Sequence, residues 1–105
     1  MRLEYPAEPG ADVACTASSE EAAAQSEMAC ELRDEASDVR RVQGGIRLRF
    51  APDAARRERI VEWLERERAC CSFLGFQLDE DESGLVLEIT GGREADAWIA
   101  TVLER

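Results

Sequence analysis

The chain has 105 residues, of which 45% are hydrophobic, and its formal net charge is −10. This length suits one domain with a modest core, and the apolar fraction is too high for a disordered chain. Thirteen basic residues, all of them Arg, face 23 acids, so we expect no nucleic-acid partner, because the phosphates would be repelled. No apolar run approaches the ~20 residues that a membrane-spanning helix needs, so we expect no membrane partner.

The N-terminal segment and the four cysteines favour a cytoplasmic protein. Residues 1–10 contain acids, Pro6 and Pro9 where a signal peptide needs an apolar stretch. We therefore expect residues 1–10 to be a loose leader and residues 11–105 to form a single α+β domain. In a reducing cytoplasm, cysteines favour metal binding or redox chemistry over structural disulfides. The chain contains no His, which excludes imidazole ligands and histidine-based catalysis.

The first predicted elements are a strand and a helix. A short strand is expected within residues 11–17, and it carries Cys15. Ser18 and Glu21 have the spacing of a capping box, in which a hydroxyl and a carboxylate satisfy exposed amides at a helix start. A helix is therefore predicted from about residue 19 to residue 34. Its apolar side carries Ala24, Met28 and Leu32.

A hairpin and a second helix follow. The pair Gly44 and Gly45 separates Val42 from the alternating run 46–50, which predicts a hairpin with its second strand half-buried. Pro52 and Asp53 open a helix that ends near Cys71. Its broad apolar face carries Ile60, Val61, Trp63 and Leu64.

The last part of the chain predicts a second hairpin and a third helix. Residues 76–78 and 85–89 alternate on either side of an acidic turn over 79–84, and residues 93–105 have helical spacing. The predicted order is strand-helix-strand-strand-helix-strand-strand-helix, which contains the split unit of ferredoxin-like sandwiches. We therefore expect an α+β fold with an antiparallel sheet and helices on one face.

The adjacent thiols Cys70 and Cys71 are the most informative feature of the chain. In a ferredoxin-like arrangement, the end of the first strand and the end of the second helix lie at the same edge of the sheet, which brings Cys15 close to this pair. Three thiolates without histidine suit Hg(II), As(III) or Cu(I) better than Zn(II), which usually takes four ligands. Glu67, one turn before Cys70, either supplies a fourth ligand or is solvated.

The same residues carry a resemblance to a family. Cys15 after Ala14, and the later run from Glu67 through Cys70, Cys71 and Phe76, resemble a group of small, uncharacterised bacterial proteins. That group has an A-C start and an E-x-x-C-C-x-F-L-x-F signature, and some relatives lie near or are fused to mercury-type resistance regulators. The resemblance covers residues 13–103 and implies a role with thiophilic metals. Ser72 stands where the group usually has proline.

Structural interpretations compete with functional ones at several positions. Cysteine packs as a small hydrophobe, and we interpret Cys30 as inert core. Both tryptophans and the three apolar residues that follow the cysteine pair are also expected to be packing residues. The acidic turn lacks the spaced ligands and the glycine of a calcium loop, so we expect it to be solvated.

The leading hypothesis is a cytoplasmic protein that binds mercury or arsenite through Cys15, Cys70 and Cys71, and binding is favoured over catalysis. One alternative is a thiol oxidoreductase or transferase in which Cys15 attacks and the pair resolves. Cys15 is the better nucleophile, because it precedes a helix start, where the macrodipole favours thiolate. A second alternative is a metal-responsive sensory or partner-binding module. The sequence leaves a homodimer open.

Overall fold

The computed structural model describes residues 2–6, 19–70, 73–91 and 93–103. These residues form a five-stranded antiparallel sheet and three helices, which confirms the α+β class. The strands are β1 (Arg2–Tyr5), β2 (Asp38–Val42), β3 (Gly45–Phe50), β4 (Gly75–Asp81) and β5 (Gly84–Thr90). The helices are α1 (Ser19–Glu35), α2 (Ala54–Cys70) and α3 (Arg93–Val102). Within this part of the chain, no helix is long and apolar enough to cross a membrane.

The strand order in the sheet is β1-β4-β5-β3-β2, and every neighbouring pair is antiparallel. A ferredoxin-like sandwich places its first strand inside the sheet, whereas here β1 lies at an edge beside β4. The position between β4 and β3 is held by β5. The ferredoxin-like arrangement is therefore not confirmed.

The first strand lies earlier in the chain than predicted. Residues 1–10 were expected to be a loose leader, but Arg2–Tyr5 pair with β4 in a register that sets Leu3 opposite Leu78 and Tyr5 opposite Phe76. Leu3 and Tyr5 pack against the core, while Arg2 makes an ion pair with Asp79 at 3.2 Å. The strand predicted within residues 11–17 lies outside the described residues.

The core lies on one face of the sheet, as predicted, because the strands alternate buried and polar residues. The buried strand residues are Ile46, Leu48, Phe50, Phe76, Leu78, Leu85, Leu87 and Ile89. The helices cover this face with Ala29, Leu32, Ile60, Trp63, Leu64, Ala95 and Ile99. Burial of each large side chain contributes about 1.5–3 kcal/mol to folding. The opposite face is polar, and Arg47 contacts Glu88 there at 2.7 Å.

The helix boundaries follow the predicted start signals, with one difference in the buried face of α1. Asp53 accepts a hydrogen bond from the backbone N–H of Arg56 at 3.0 Å, which caps the start of α2. In α1 the buried positions are Gln25, Ala29 and Leu32, whereas Ala24, which was predicted on the apolar side, is exposed. The buried side of α1 is thus offset by about one residue from the predicted apolar side. The prediction missed this offset because one of the buried residues is a glutamine.

Both predicted hairpins are present. Gly44 has φ 77° in the first turn, a conformation that other residues rarely adopt. In the second hairpin the strands are longer than predicted, since β4 continues to Asp81 and the turn is confined to Glu82 and Ser83. Ser83 donates both its backbone N–H and its hydroxyl to the Asp81 carboxylate, which closes this tight turn.

Candidate functional site

The three predicted cysteine ligands lie at or beyond the borders of the described residues. Cys70 is the last residue of α2, and the placement of its side chain is not described. Cys15 and Cys71 lie outside the described residues. Their convergence on one metal ion therefore stays a prediction. The structure describes the elements that surround the end of α2, where Cys70 lies.

Several strands and helices begin or terminate at the end of the sheet where α2 ends, which we call the Cys70 end. Here β1 finishes at Tyr5, opposite Phe76 near the start of β4, and β5 finishes at Thr90, opposite Gly75. Helix α3 begins at Arg93, directly after this end of β5. The Cys70 end thus combines the end of one helix with the start of another.

The start of α1 lies at the same end, because α1 and α2 pack in opposite directions. Gln25, early in α1, contacts Trp63 and Glu67, late in α2. Glu35, the last residue of α1, contacts Arg59, early in α2, at 2.8 Å. From Gln25 the helix extends six residues, or about 9 Å, to Ser19. To Cys70, α2 extends three residues past Glu67 and seven past Trp63, or about 4.5 Å and about 10.5 Å. The start of α1 is therefore level with the end of α2.

A buried polar cluster, formed by Gln25, Trp63 and Glu67, joins the two helices near the Cys70 end. The Gln25 amide donates to the Glu67 carboxylate at 3.2 Å and to the Trp63 carbonyl at 3.5 Å. The Trp63 indole N–H donates to the backbone carbonyl of Gln25 at 3.2 Å. Gln25 is 8% exposed and Glu67 is 4% exposed. Burial of a carboxylate is costly without polar partners, and helical glutamate is usually exposed.

The burial of Glu67 contradicts one of its two predicted environments, while its role as a metal ligand stays a prediction. A solvated carboxylate was one of them, and a side chain that is 4% exposed is not solvated. Cys70 and Cys71 follow Glu67 at three and four residues, which is the spacing of neighbours on one helix face. The contact with Gln25 shows that the Glu67 side chain points toward α1.

An open groove lies beside the last turn of α2. It has a volume of about 610 Å³ and is bounded by the end of β1 and by Glu65, Arg68 and Ala69 of α2. The Tyr5 hydroxyl donates to Glu65 at 2.5 Å, and the Arg68 guanidinium lies 4.6 Å from the centre of the Tyr5 ring. The hydrogen bond to Glu65 raises the pKa of Tyr5, and partial burial adds to this effect.

The turn after α2 is held closely against the end of β5. A β-carbon on Gly91 would lie 2.8 Å from the Phe73 carbonyl oxygen, so only glycine fits without a shift of the backbone. Leu74 and Phe76 are buried and Phe73 packs against the core, which confirms the prediction that these residues are packing residues. The segment that follows the cysteine pair is therefore anchored on the core.

The remaining chemically notable groups lie away from this site or are structural. Cys30 is half-buried in α1, so it is less buried than the core role predicted for it. Trp63 lies 5.9 Å from Phe76 and 6.2 Å from Trp98 between ring centres, so both tryptophans are packing residues, as predicted. Within residues 2–6, 19–70, 73–91 and 93–103, no three Cys, Asp or Glu side chains form a group that could hold a metal ion.

Sequence reasoning did not identify Gln25, the partner of Glu67, or Tyr5, which lines the groove beside the last turn of α2. Gln25 was missed because a single glutamine in an alanine-rich helix gives no signal of burial. Tyr5 was missed because it lies in the segment interpreted as a leader, although it is the only tyrosine of the chain. Comparisons of the chain with protein-family models, with curated proteins and with solved structures give no match.

Proposed function

We propose that this protein binds one thiophilic heavy-metal ion, Hg(II) or As(III), through the thiolates of Cys15, Cys70 and Cys71, with Glu67 beside them. The observation that carries the proposal is the burial of Glu67, which is 4% exposed and lies one turn before the adjacent cysteines. A buried carboxylate next to thiols supplies a further donor or accepts a thiol proton when metal binds, since coordinating thiols must be deprotonated.

The packing of α1 against α2 supports the inclusion of Cys15. Ser19, the first residue of α1, is level with the end of α2, and Cys15 precedes Ser19 by four residues. Four residues reach at most ~14 Å. Cys15 is therefore within reach of the cysteine pair, although the two are separated by 55 positions in the sequence.

Two helix starts at the Cys70 end support thiolate chemistry. The end of α2 carries the negative end of its macrodipole, which by itself disfavours ionised thiols at residues 70 and 71. The first residues of α1 and α3, Ser19 and Arg93, lie at the same end and bring the positive ends of their dipoles there. Three soft donors suit a trigonal Hg(II) or As(III) ion better than a four-coordinate Zn(II) ion. The proposal includes a cytoplasmic location, where thiols stay reduced.

The test is a titration of the reduced protein with Hg(II) or arsenite, followed by native mass spectrometry. We expect one ion per chain. The double variant Cys70→Ser/Cys71→Ser should lose stoichiometric binding. Cys15→Ser should bind Hg(II) more weakly, through the remaining pair, and Cys30→Ser is the matched control that should bind like the wild-type protein. Stoichiometric binding that survives both Cys15→Ser and the double variant contradicts the proposal.

The buried carboxylate also favours a second candidate function, a thiol oxidoreductase or transferase. Such an enzyme needs a proton acceptor for its attacking thiol, and Glu67 is a carboxylate close in sequence to Cys70 and Cys71. The discriminating measurement is turnover on a small disulfide substrate. Turnover that is lost in Glu67→Gln, without stoichiometric binding of a soft metal, favours the enzyme over the binding protein.

A further inference from the structure

The groove beside Cys70 contains fixed charges of both signs. Arg68 stacks on the Tyr5 ring at 4.6 Å, and the aromatic face restrains a guanidinium that still has N–H donors to offer. Glu65 lies 3.5 Å from Arg68 and accepts the Tyr5 hydroxyl at 2.5 Å. Glu4 adds a second carboxylate to the lining. The Glu4 carboxylate also pairs with Arg2, at 3.2 Å. The groove therefore presents one cation and two anions, and each of the two carboxylates already has one arginine neighbour.

This arrangement is complementary to a small zwitterion. A ligand carboxylate can pair with Arg68, since a guanidinium donates two parallel hydrogen bonds to a carboxylate. A ligand ammonium can pair with Glu65 or Glu4. The volume of about 610 Å³ accommodates an amino acid or a short peptide. Ala69, which lines the groove, directly precedes Cys70, so a ligand in the groove lies beside the last turn of α2, one residue from Cys70 in the sequence.

Soft metal ions reach a protein in a cell as complexes with small thiols, because thiolates bind these ions far more strongly than water does. The abundant small thiols are amino acids or peptides with a free ammonium and a carboxylate. We propose that the groove binds the amino-acid part of such a thiol and thereby docks its metal complex next to Cys70. This inference rests on the proposed function and names the form in which the metal is delivered.

The transfer step is a ligand exchange without a change of oxidation state. A protein thiolate forms a bond to Hg(II), and the bond between Hg(II) and one carrier thiolate breaks. The leaving carrier thiolate takes up the proton that the protein thiol has released. Repetition at the other protein thiols frees the second carrier molecule.

The test compares three mercury complexes as donors: those of cysteine, of cysteamine, which lacks the carboxylate, and of 2-mercaptoethanol, which lacks both charged groups. Rapid mixing with reduced protein, followed by the mercury-thiolate absorbance, gives a transfer rate for each. One charge-assisted pair with the half-exposed Arg68 favours the cysteine complex over the cysteamine complex by about two- to fivefold. Arg68→Gln should remove this preference.

Arg66→Gln is the matched control, because Arg66 lies on the same helix, pairs with Glu62 at 2.8 Å and is not part of the groove lining. It should keep the preference for the cysteine complex. Equal circular dichroism spectra and equal urea midpoints show that both variants fold. Equal rates from cysteine and cysteamine in the wild-type protein, or a preference that survives Arg68→Gln, contradict the carrier groove alone. No mercury transfer from any donor contradicts both the groove and the proposed function.

Discussion

The hydrogen bond between Gln25 and Glu67 gives the sharpest stability prediction. Gln25→Met keeps the approximate volume of the side chain but removes its donors, so the expected cost is a lost hydrogen bond and not a cavity. A hydrogen bond to a charged group contributes about 1.5–3 kcal/mol, and the 8% exposure of Gln25 leaves little room for water to replace it. The contact with the Trp63 carbonyl, at 3.5 Å, adds little.

The measurement is urea unfolding of the reduced, metal-free protein followed by circular dichroism. Tryptophan fluorescence is less suitable, because Trp63 contacts Gln25 and its emission would report the local change as well as unfolding. A double-mutant cycle with Glu67→Met isolates the pair. The matched control is the exposed pair of Glu62 and Arg66, 2.8 Å apart, whose coupling should be about 0.3–0.5 kcal/mol. A buried-pair coupling no larger than the control would refute the reasoning.

The same substitution links stability to the proposed site. Partners that hydrogen-bond to a metal ligand change metal affinity by about 10- to 100-fold when they are removed. If Glu67 is a ligand, Gln25→Met weakens Hg(II) binding by that factor. If Glu67 only packs between the helices, the affinity stays unchanged while the stability still falls.

Three further predictions concern pH and backbone packing. The hydrogen bond to Glu65 raises the pKa of Tyr5 above 10.0. The stability that this hydrogen bond contributes is therefore complete below pH 10 and is lost as pH rises through the folded pKa. In an absorbance titration of this single tyrosine, Glu65→Gln should lower the pKa of Tyr5. Hydrogen bonds from Arg59 lower the pKa of Glu35 below 4.5. The stability from this contact is therefore complete above pH 4.5 and is lost as pH falls through the folded pKa. When the urea midpoint is plotted against pH, Glu35→Gln should make the decrease at acidic pH less steep. Gly91→Ala places a methyl group 2.8 Å from a carbonyl of the turn after α2, and we expect a loss of at least about 1 kcal/mol in urea unfolding, whereas unchanged stability would show that this turn moves freely.

Much of the fold could be predicted because its signals are local. The helix start at Ser19 follows a capping box, the start of α2 follows Pro52 and Asp53, and the glycine turn at Gly44 precedes an alternating strand. Each of these features depends on a few neighbouring residues and their backbone chemistry. The three helices and the two hairpins followed from them, whereas the strand β1 did not.

The sheet order could not be predicted in the same way. β1 has four residues, and only Leu3 and Tyr5 mark its buried side. So short an alternation does not stand out from an irregular segment. Pairing with β4 depends on contacts about 75 positions away, such as Tyr5 with Phe76, and local pattern carries no information on which strand lies next to which.

Part of the candidate site could likewise be predicted from local sequence, and part could not. Glu67 could be selected from its spacing to Cys70, but its burial depends on Gln25, a residue 42 positions earlier in the chain. The groove depends on Tyr5 and Arg68, which are brought together by the pairing of β1 with β4. Residue types can therefore suggest the chemistry of a site, while its neighbours come from the tertiary structure.

The most direct measurement of the central claim is X-ray absorption at the mercury edge on the one-to-one Hg(II) complex of the reduced protein. Three sulfur neighbours are expected in the wild-type protein and in Cys30→Ser, and two in Cys15→Ser. A sulfur count that does not change in Cys15→Ser would contradict a site in which the early cysteine and the pair at the end of α2 hold the same ion.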